Sequence, residues 1–175
     1  MQPQRARILC RVLVTAALLA VAGHQALAQS EPAYRVTTRF GELSVRRDEV
    51  LRFNEQPLEP LLKGGNGLYV GDPFVIGEAD VVLITAVGGT ACPDLYWFVT
   101  VTRSGAKATP SFGTCSVALT VTRSGDSIRV SMRGYRGPFE PEAERSKAAA
   151  QTHVFIFHDG VVSEDAATHT ANPTS

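Results

Sequence analysis

Two histidines, His153 and His158, are the side chains of this 175-residue chain best suited to metal binding or proton transfer. Imidazole groups ligate metal ions and exchange protons near neutral pH. Alternating residue types predict a strand at 152–157, however, and residues five apart on a regular strand face opposite sides of the sheet. Without a β-bulge the two rings cannot converge on one ion. The sequence therefore predicts neither a metal site nor a cofactor.

Catalysis by these histidines would require a carboxylate partner. Asp159 follows His158 directly, but the pair falls at a predicted turn, where exposed polar side chains are common. A carboxylate distant in the sequence could also complete an active site. The segment nearest to a nucleophile elbow, residues 113–117 (Gly-Thr-Cys-Ser-Val), lacks the second glycine of that motif. The residues favour a non-enzymatic protein, and a hydrolase with a distributed active site using His153 or His158 is the alternative.

Cys92 and Cys115 are the two cysteines that remain once an N-terminal segment containing Cys10 is removed. An even number of cysteines in an exported chain predicts a disulfide, and their spacing is too long for a CxxC redox pair. Closing a loop of about 23 residues stabilises a fold by roughly 3 kcal/mol in the chain-entropy model. We predict a structural bridge rather than a catalytic thiol.

Arg129 and Arg133 alternate with apolar residues in a predicted strand at 128–133, so they share its outward face, and Arg136 lies just beyond. Guanidinium groups bind carboxylates and phosphates through charge-assisted hydrogen bonds. One prediction is therefore a binding face for an anionic group. The alternative is a solvated strand face whose charges also prevent edge-to-edge pairing.

Tyr96 and Phe98 alternate with Trp97 and its neighbours in another predicted strand. Aromatic side chains are enriched in protein interfaces, so these two residues are candidates for an aromatic contact surface. A strand that is buried on both faces explains the same pattern equally well.

The elements that must position these residues are mostly strands. Inward-facing and outward-facing residue types alternate along 117–122 and again along 128–133. A glycine-containing turn lies between the two segments, which predicts a β-hairpin. Residues 81–84 form a continuous apolar run, which is typical of a strand covered on both faces. One short helix is predicted at 141–151, with proline at its start and two glutamates in its first turn. We predict an all-β fold, an antiparallel sandwich or small barrel of eight to ten short strands with this helix.

A six-residue string, Thr-Val-Thr-Arg-Ser-Gly, occurs twice, at 100–105 and at 120–125. The flanking residues do not match, and a repeat architecture would need a sustained period. We interpret the two copies as two strands with the same exit turn.

The N-terminal segment has the three parts of a secretory signal peptide. Arg5, Arg7 and Arg11 precede an apolar run at 12–22, and the small residues Ala26 and Ala28 follow on either side of Leu27. The run is too short to span a bilayer, which needs roughly 20 apolar residues. We predict a cleaved signal peptide at 1–28, a single β-rich domain at 29–163 and a disordered tail at 164–175, with no transmembrane anchor after cleavage.

Cleavage also changes the charge. The whole chain has 17 basic and 17 acidic side chains, and loss of the three arginines leaves 14 basic and 17 acidic ones, a net charge of −3. Such a balance does not favour nucleic acid or an anionic membrane as the partner.

The cysteine core resembles a pattern found in uncharacterised exported, β-rich proteins of Gram-negative bacteria. The residues that carry the resemblance are Gly88-Gly89-Thr90-Ala91-Cys92-Pro93, Tyr96, Val99-Thr100-Val101 and Phe112-Gly113-Thr114-Cys115-Ser116. The resemblance covers residues 70–133 and implies a periplasmic or secreted protein in which Cys92 pairs with Cys115. It implies no activity.

These observations together predict an exported, non-enzymatic binding domain of the bacterial envelope. Its partner is expected to be an envelope protein or a cell-wall component, and one version is an inhibitor of a lysozyme-type hydrolase that places a loop side chain in the cleft of its target. A structural component of an envelope assembly is a further alternative, beside the hydrolase.

Overall fold

The structure, a computed structural model, describes residues 34–165. The predicted signal peptide lies outside the described residues, as does the predicted tail from residue 166 onward. The first two residues of that predicted tail, Glu164 and Asp165, belong to the last strand. The described chain is built of three four-stranded antiparallel sheets and one short helix.

Each sheet is formed by strands that follow one another in the chain. Sheet I contains β1 Tyr34–Thr38, β2 Gly41–Val45, β3 Leu51–Phe53 and β4 Gln56–Pro57. Sheet II contains β5 Gly67–Ile76, β6 Ala79–Gly89, β7 Cys92–Thr102 and β8 Gly105–Ala108. Sheet III contains β9 Leu119–Ser124, β10 Ser127–Arg133, β11 Thr152–His158 and β12 Val161–Asp165. Every pairing is antiparallel. Short connections join most neighbouring strands, whereas residues 134–151, which include the helix, join β10 to β11.

Sheet II is the middle layer of the sandwich. Its alternating side chains enter two separate cores, one shared with sheet I and one shared with sheet III. In β6, Val82 and Ile84 face the first core and Val81 faces the second, which confirms that the apolar run at 81–84 is covered on both faces. The all-β sandwich is thus confirmed, with twelve strands in the described residues rather than eight to ten, and with open sheets rather than a barrel.

The hairpin predicted around residues 117–133 is confirmed as β9 and β10, in which Val121 lies opposite Val130. A further tight hairpin joins β11 to β12 through Asp159 and Gly160 alone. Both residues have positive φ, +49° and +77°. Two consecutive residues in this left-handed region are typical of the turn that matches the twist of paired strands, and aspartate followed by glycine is a preferred pair for it.

The helix α1 spans Glu142–Ala149 between β10 and β11, with Pro141 at its N-cap, as predicted. None of its side chains is buried. It is attached mainly through its C-terminal end, where Arg133 Nη1 donates to the carbonyl of Ala149 at 3.2 Å. Among residues 34–165, no helix has the length and hydropathy of a membrane span.

Candidate functional site

The segment between β10 and α1, residues 134–141, forms a loop that we name the interaction loop. Its sequence, Gly-Tyr-Arg-Gly-Pro-Phe-Glu-Pro, is rich in turn-forming residues. A turn is closed by the Glu140 N–H, which donates to the carbonyl of Gly137 at 3.1 Å. This turn carries Phe139 outward, and its side chain is 91% exposed, more than that of any other large apolar residue described.

The base of the interaction loop is fastened to the rest of the domain. Tyr135 Oη donates to the carbonyl of Thr90, in the turn between β6 and β7, at 2.7 Å. The Gly134 N–H donates to the carbonyl of Gln151 at 3.0 Å. A Cβ added at Gly134 would lie 2.5 Å from the carbonyl oxygen of Ala148, so only glycine allows this close approach.

The disulfide between Cys92 and Cys115 is present, and it lies beside the same base. Thr90, which accepts the Tyr135 bond, is two residues before Cys92. On the other side of the bridge, Thr114 Oγ1 donates to the carbonyl of Arg133, the last residue before the loop, at 2.5 Å. The bridge therefore links two segments that each hold one part of the loop base.

The charges around Phe139 are mixed: three exposed glutamates follow it in the chain, and the exposed Arg145 and Lys147 come after them on α1. Glu140, Glu142 and Glu144 are all exposed and follow Phe139 within five residues, and we name them the acidic flank. Arg136 is the exposed cation on the N-terminal side. In the chain, Phe139 therefore lies between one exposed arginine and the acidic flank.

Arg129 and Arg133 are exposed on the same outward face of β10, as their spacing predicts. β10 is an inner strand of sheet III, paired with β9 and β11, so these charges do not guard a sheet edge. Arg129 Nη1 lies 3.9 Å from Asp165 Oδ2, and Arg133 binds the C-terminal end of α1. Both guanidinium groups have partners within the chain, and binding of an external anion by them stays a prediction.

Tyr96 and Phe98 do not form a contact surface, so the prediction of an aromatic binding surface at these residues is wrong. Their side chains are 1% and 0% exposed, in the core between sheets II and III. Tyr96 Oη donates to the carbonyl of Ser116 at 2.8 Å, and burial raises the pKa of its phenol, with the neighbouring Asp94 carboxylate adding to the shift. Tyr96 and Phe98 instead fit the alternative prediction, in which their strand is buried on both faces.

The two histidines have separate partners and project from opposite faces of β11. His153 Nδ1 lies 2.7 Å from Glu164 Oε1. His158 Nδ1 lies 3.2 Å from Ser127 Oγ, and its Nε2 lies 3.4 Å from Asp159 Oδ2. The second set connects a hydroxyl, an imidazole and a carboxylate, which is the set of groups used in nucleophilic catalysis.

The His158 and Asp159 side chains are, however, more exposed to water than those of a typical active site. The side chain of His158 is 58% exposed and that of Asp159 is 87% exposed. Water screens the carboxylate so strongly that it can do little to activate the imidazole, because electrostatic catalysis depends on a site from which water is excluded. In the described residues, no group of three or more His, Cys, Asp or Glu side chains is arranged to hold a metal ion.

Comparison with known proteins gives no further guide, since no protein family, curated protein or solved structure matches this chain. The candidate site is assigned from geometry.

Phe139 is the feature that sequence reasoning missed, although a single aromatic residue between Pro138 and Pro141 is a readable signal. Proline on both sides disfavours a strand, so an apolar ring there has no sheet face on which to be buried.

Proposed function

We propose that this protein is an exported, non-enzymatic interaction domain of the bacterial envelope that binds a partner protein by inserting Phe139 into an apolar pocket. The observation that carries the proposal is the 91% exposure of this ring on an anchored loop. Buried aromatic anchors dominate the binding energy of many interfaces. A loop that is already held in place loses less conformational entropy on binding, which raises affinity.

The partner that suits this loop is a basic hydrolase of the lysozyme type. The acidic flank favours a target with cationic groups at the rim of its pocket, and a mature charge of −3 points the same way. An inhibitor of such an enzyme needs one side chain that enters the cleft, and Phe139 supplies it. Binding without turnover of the inhibitor is the expected behaviour.

The test is binding of the oxidised domain 29–175 to a panel of purified basic lysozymes, measured by surface plasmon resonance together with inhibition of cell-wall lysis. Phe139→Ala is expected to weaken binding by about thirtyfold or more, because truncation of an aromatic anchor typically costs at least 2 kcal/mol. The unfolding midpoint of this variant should equal that of the wild type, because the Phe139 ring contributes nothing to the core.

Val117→Ala is the matched control, because Val117 is also an exposed apolar residue but lies outside the interaction loop. It should bind as the wild type does. The proposal fails if no lysozyme of the panel binds, or if Phe139→Ala binds as tightly as the control.

The alternative function, a hydrolase, is favoured by one observation, the contact of Ser127, His158 and Asp159. A fluorophosphonate probe that labels activated serines distinguishes the two functions. The interaction proposal expects no more labelling of the wild type than of Ser127→Ala. Labelling at Ser127 that disappears in His158→Gln, while Asp126→Asn leaves it unchanged, would instead identify a hydrolase.

A further inference from the structure

A second site lies where sheet II extends past sheet III. The strands β6 and β7 have 11 residues each, whereas β10 and β11 have 7 each. At about 3.3 Å per residue, the middle sheet is longer by roughly 13 Å. Part of its face beyond Phe157, around Ile76 and Thr102, is therefore only half-buried, and a cleft of about 660 Å³ opens between the two sheets. Clefts of about 300–1,000 Å³ are typical of small-ligand sites.

The wall of this inter-sheet cleft combines apolar and charged groups. Ile76 of sheet II and Val161 of sheet III supply accessible apolar surface, while Val81 and Phe157, which are 1% and 2% exposed, lie beneath them in the core. Its two charged residues, Lys107 and Asp159, lie on opposite sheets.

Lys107 projects from β8 of sheet II, and Asp159 belongs to the turn of sheet III. Within residues 34–165, Lys107 makes no ion pair, and the contact of Asp159 is with His158 at 3.4 Å. A cation on one wall and an anion on the other are complementary to a ligand that carries both charges. A simple fatty carboxylate would meet Asp159 as a like charge, and a simple amine would meet Lys107 in the same way.

We propose that the inter-sheet cleft binds a short zwitterionic peptide with apolar side chains. The peptide's carboxylate pairs with Lys107, its ammonium group pairs with Asp159, and its side chains pack on Ile76 and Val161. The site is separate from the interaction loop. Thr90 supports that loop at the turn joining β6 to β7, whereas the cleft is at the opposite end of these two strands, about 30 Å away at the usual rise per residue.

The test is titration of the ¹⁵N-labelled domain with trileucine, followed by amide chemical shifts. Shifts are expected at Gly105, Gly160 and their neighbours in the cleft, and not in the interaction loop. Lys107→Gln and Asp159→Asn should each weaken binding about two- to fivefold, because solvent-exposed ion pairs contribute only 0.2–1 kcal/mol. The matched controls are Lys147→Gln on α1 and Asp126→Asn in the turn between β9 and β10, which should bind as the wild type does.

Blocked peptides assign each charge to its partner. Amidation of the carboxyl end should weaken binding to the wild type but not to Lys107→Gln, and N-acetylation should weaken binding to the wild type but not to Asp159→Asn. The proposal is overturned if trileucine causes no shifts in the cleft up to its solubility limit, or if the two variants bind it as tightly as their controls. It is also overturned if laurate binds there more tightly than trileucine and Asp159→Asn strengthens that binding. Phe139→Ala should leave the titration unchanged, so failure here is distinct from failure of the interaction proposal.

Discussion

At the scale of single residues, the contact between Arg39 and Asp80 joins a buried carboxylate to a half-exposed guanidinium group. The Asp80 carboxylate is 2% exposed. It accepts from the Arg39 backbone N–H at 2.6 Å and from Arg39 Nε at 2.7 Å, while Nη2 donates to the carbonyl of Ala79 at 2.7 Å. Because Arg39 belongs to the turn between β1 and β2, this one side chain ties sheet I to sheet II.

We expect Arg39→Ala to lower the free energy of unfolding by about 3 kcal/mol, since it leaves a buried carboxylate without its charged partner. Asp80→Asn should cost less, about 1–2 kcal/mol, because it removes the buried charge and keeps an acceptor. Urea unfolding measures both. Arg103→Ala, at an exposed arginine in the turn between β7 and β8, is the control and should change stability by less than about 0.5 kcal/mol. An Arg39→Ala value equal to that of the control would contradict the assignment.

Residue types alone were an incomplete guide to which aromatic rings are exposed. Tyr96, Phe98 and Phe139 are all aromatic, yet the first two are buried and the third is not. Alternation showed that Tyr96 and Phe98 share one face of a strand, but it could not show whether a second sheet covers that face. Phe139 belongs to no periodic segment, so its exposure follows from the loop geometry around it.

At the scale of elements, hairpins were predictable but the register of their turns was not. In the copy of the repeated string at 100–105, Thr102 pairs with Gly105, so Arg103 and Ser104 form the turn. In the copy at 120–125, Ser124 pairs with Ser127, and the turn moves to Gly125 and Asp126.

The residue after each copy explains the difference in register. Asp126 is a turn-forming residue, and Gly125 at φ +57° supplies the left-handed conformation before it. Ala106 instead continues as a strand, with Gly105 already paired. Both copies of the string therefore form a strand, but the residue that follows each copy determines the position of its turn.

The helix could also be predicted, because the residues that indicate it lie at its own N-terminal end. Pro141 and the first-turn glutamates mark its start, and α1 buries no side chain, so tertiary contacts had little to override. Its role could not be read from the sequence. Only the fold shows that Arg133 and Gly134 fasten its C-terminal end beside the interaction loop.

At the scale of the whole molecule, three stacked sheets place the two proposed sites at opposite ends of the middle layer. The apolar run at 81–84 indicated a strand buried on both faces, but not which sheets would cover it. That arrangement depends on contacts between strands far apart in the chain, such as those that place Leu43 and Val82 in one core. The inter-sheet cleft follows from the different lengths of the strands in neighbouring layers, which only the assembled sandwich reveals.

The disulfide connects this architecture to the proposed binding function. Cys92 and Cys115 lie next to the segments whose Thr90 and Thr114 hold the base of the interaction loop. Replacing both cysteines by serine should lower the free energy of unfolding by about 3 kcal/mol, because the 23-residue loop is no longer closed in the unfolded chain. The folded population should also hold the interaction loop less rigidly.

That second effect distinguishes a bridge that only stabilises the fold from one that also orients Phe139. ¹⁵N relaxation at low temperature, where the double variant is folded, should show lower order parameters at Gly137, Phe139 and Glu140 than in the wild type, with the cleft residues Gly105 and Gly160 unchanged. Tyr135→Phe removes the hydrogen bond to Thr90 and leaves the bridge intact, so it should give a smaller change in the same residues. If the folded double variant keeps wild-type order parameters throughout the interaction loop, the bridge stabilises the sandwich alone, and the hydrogen bonds at the base of the loop are sufficient to position Phe139.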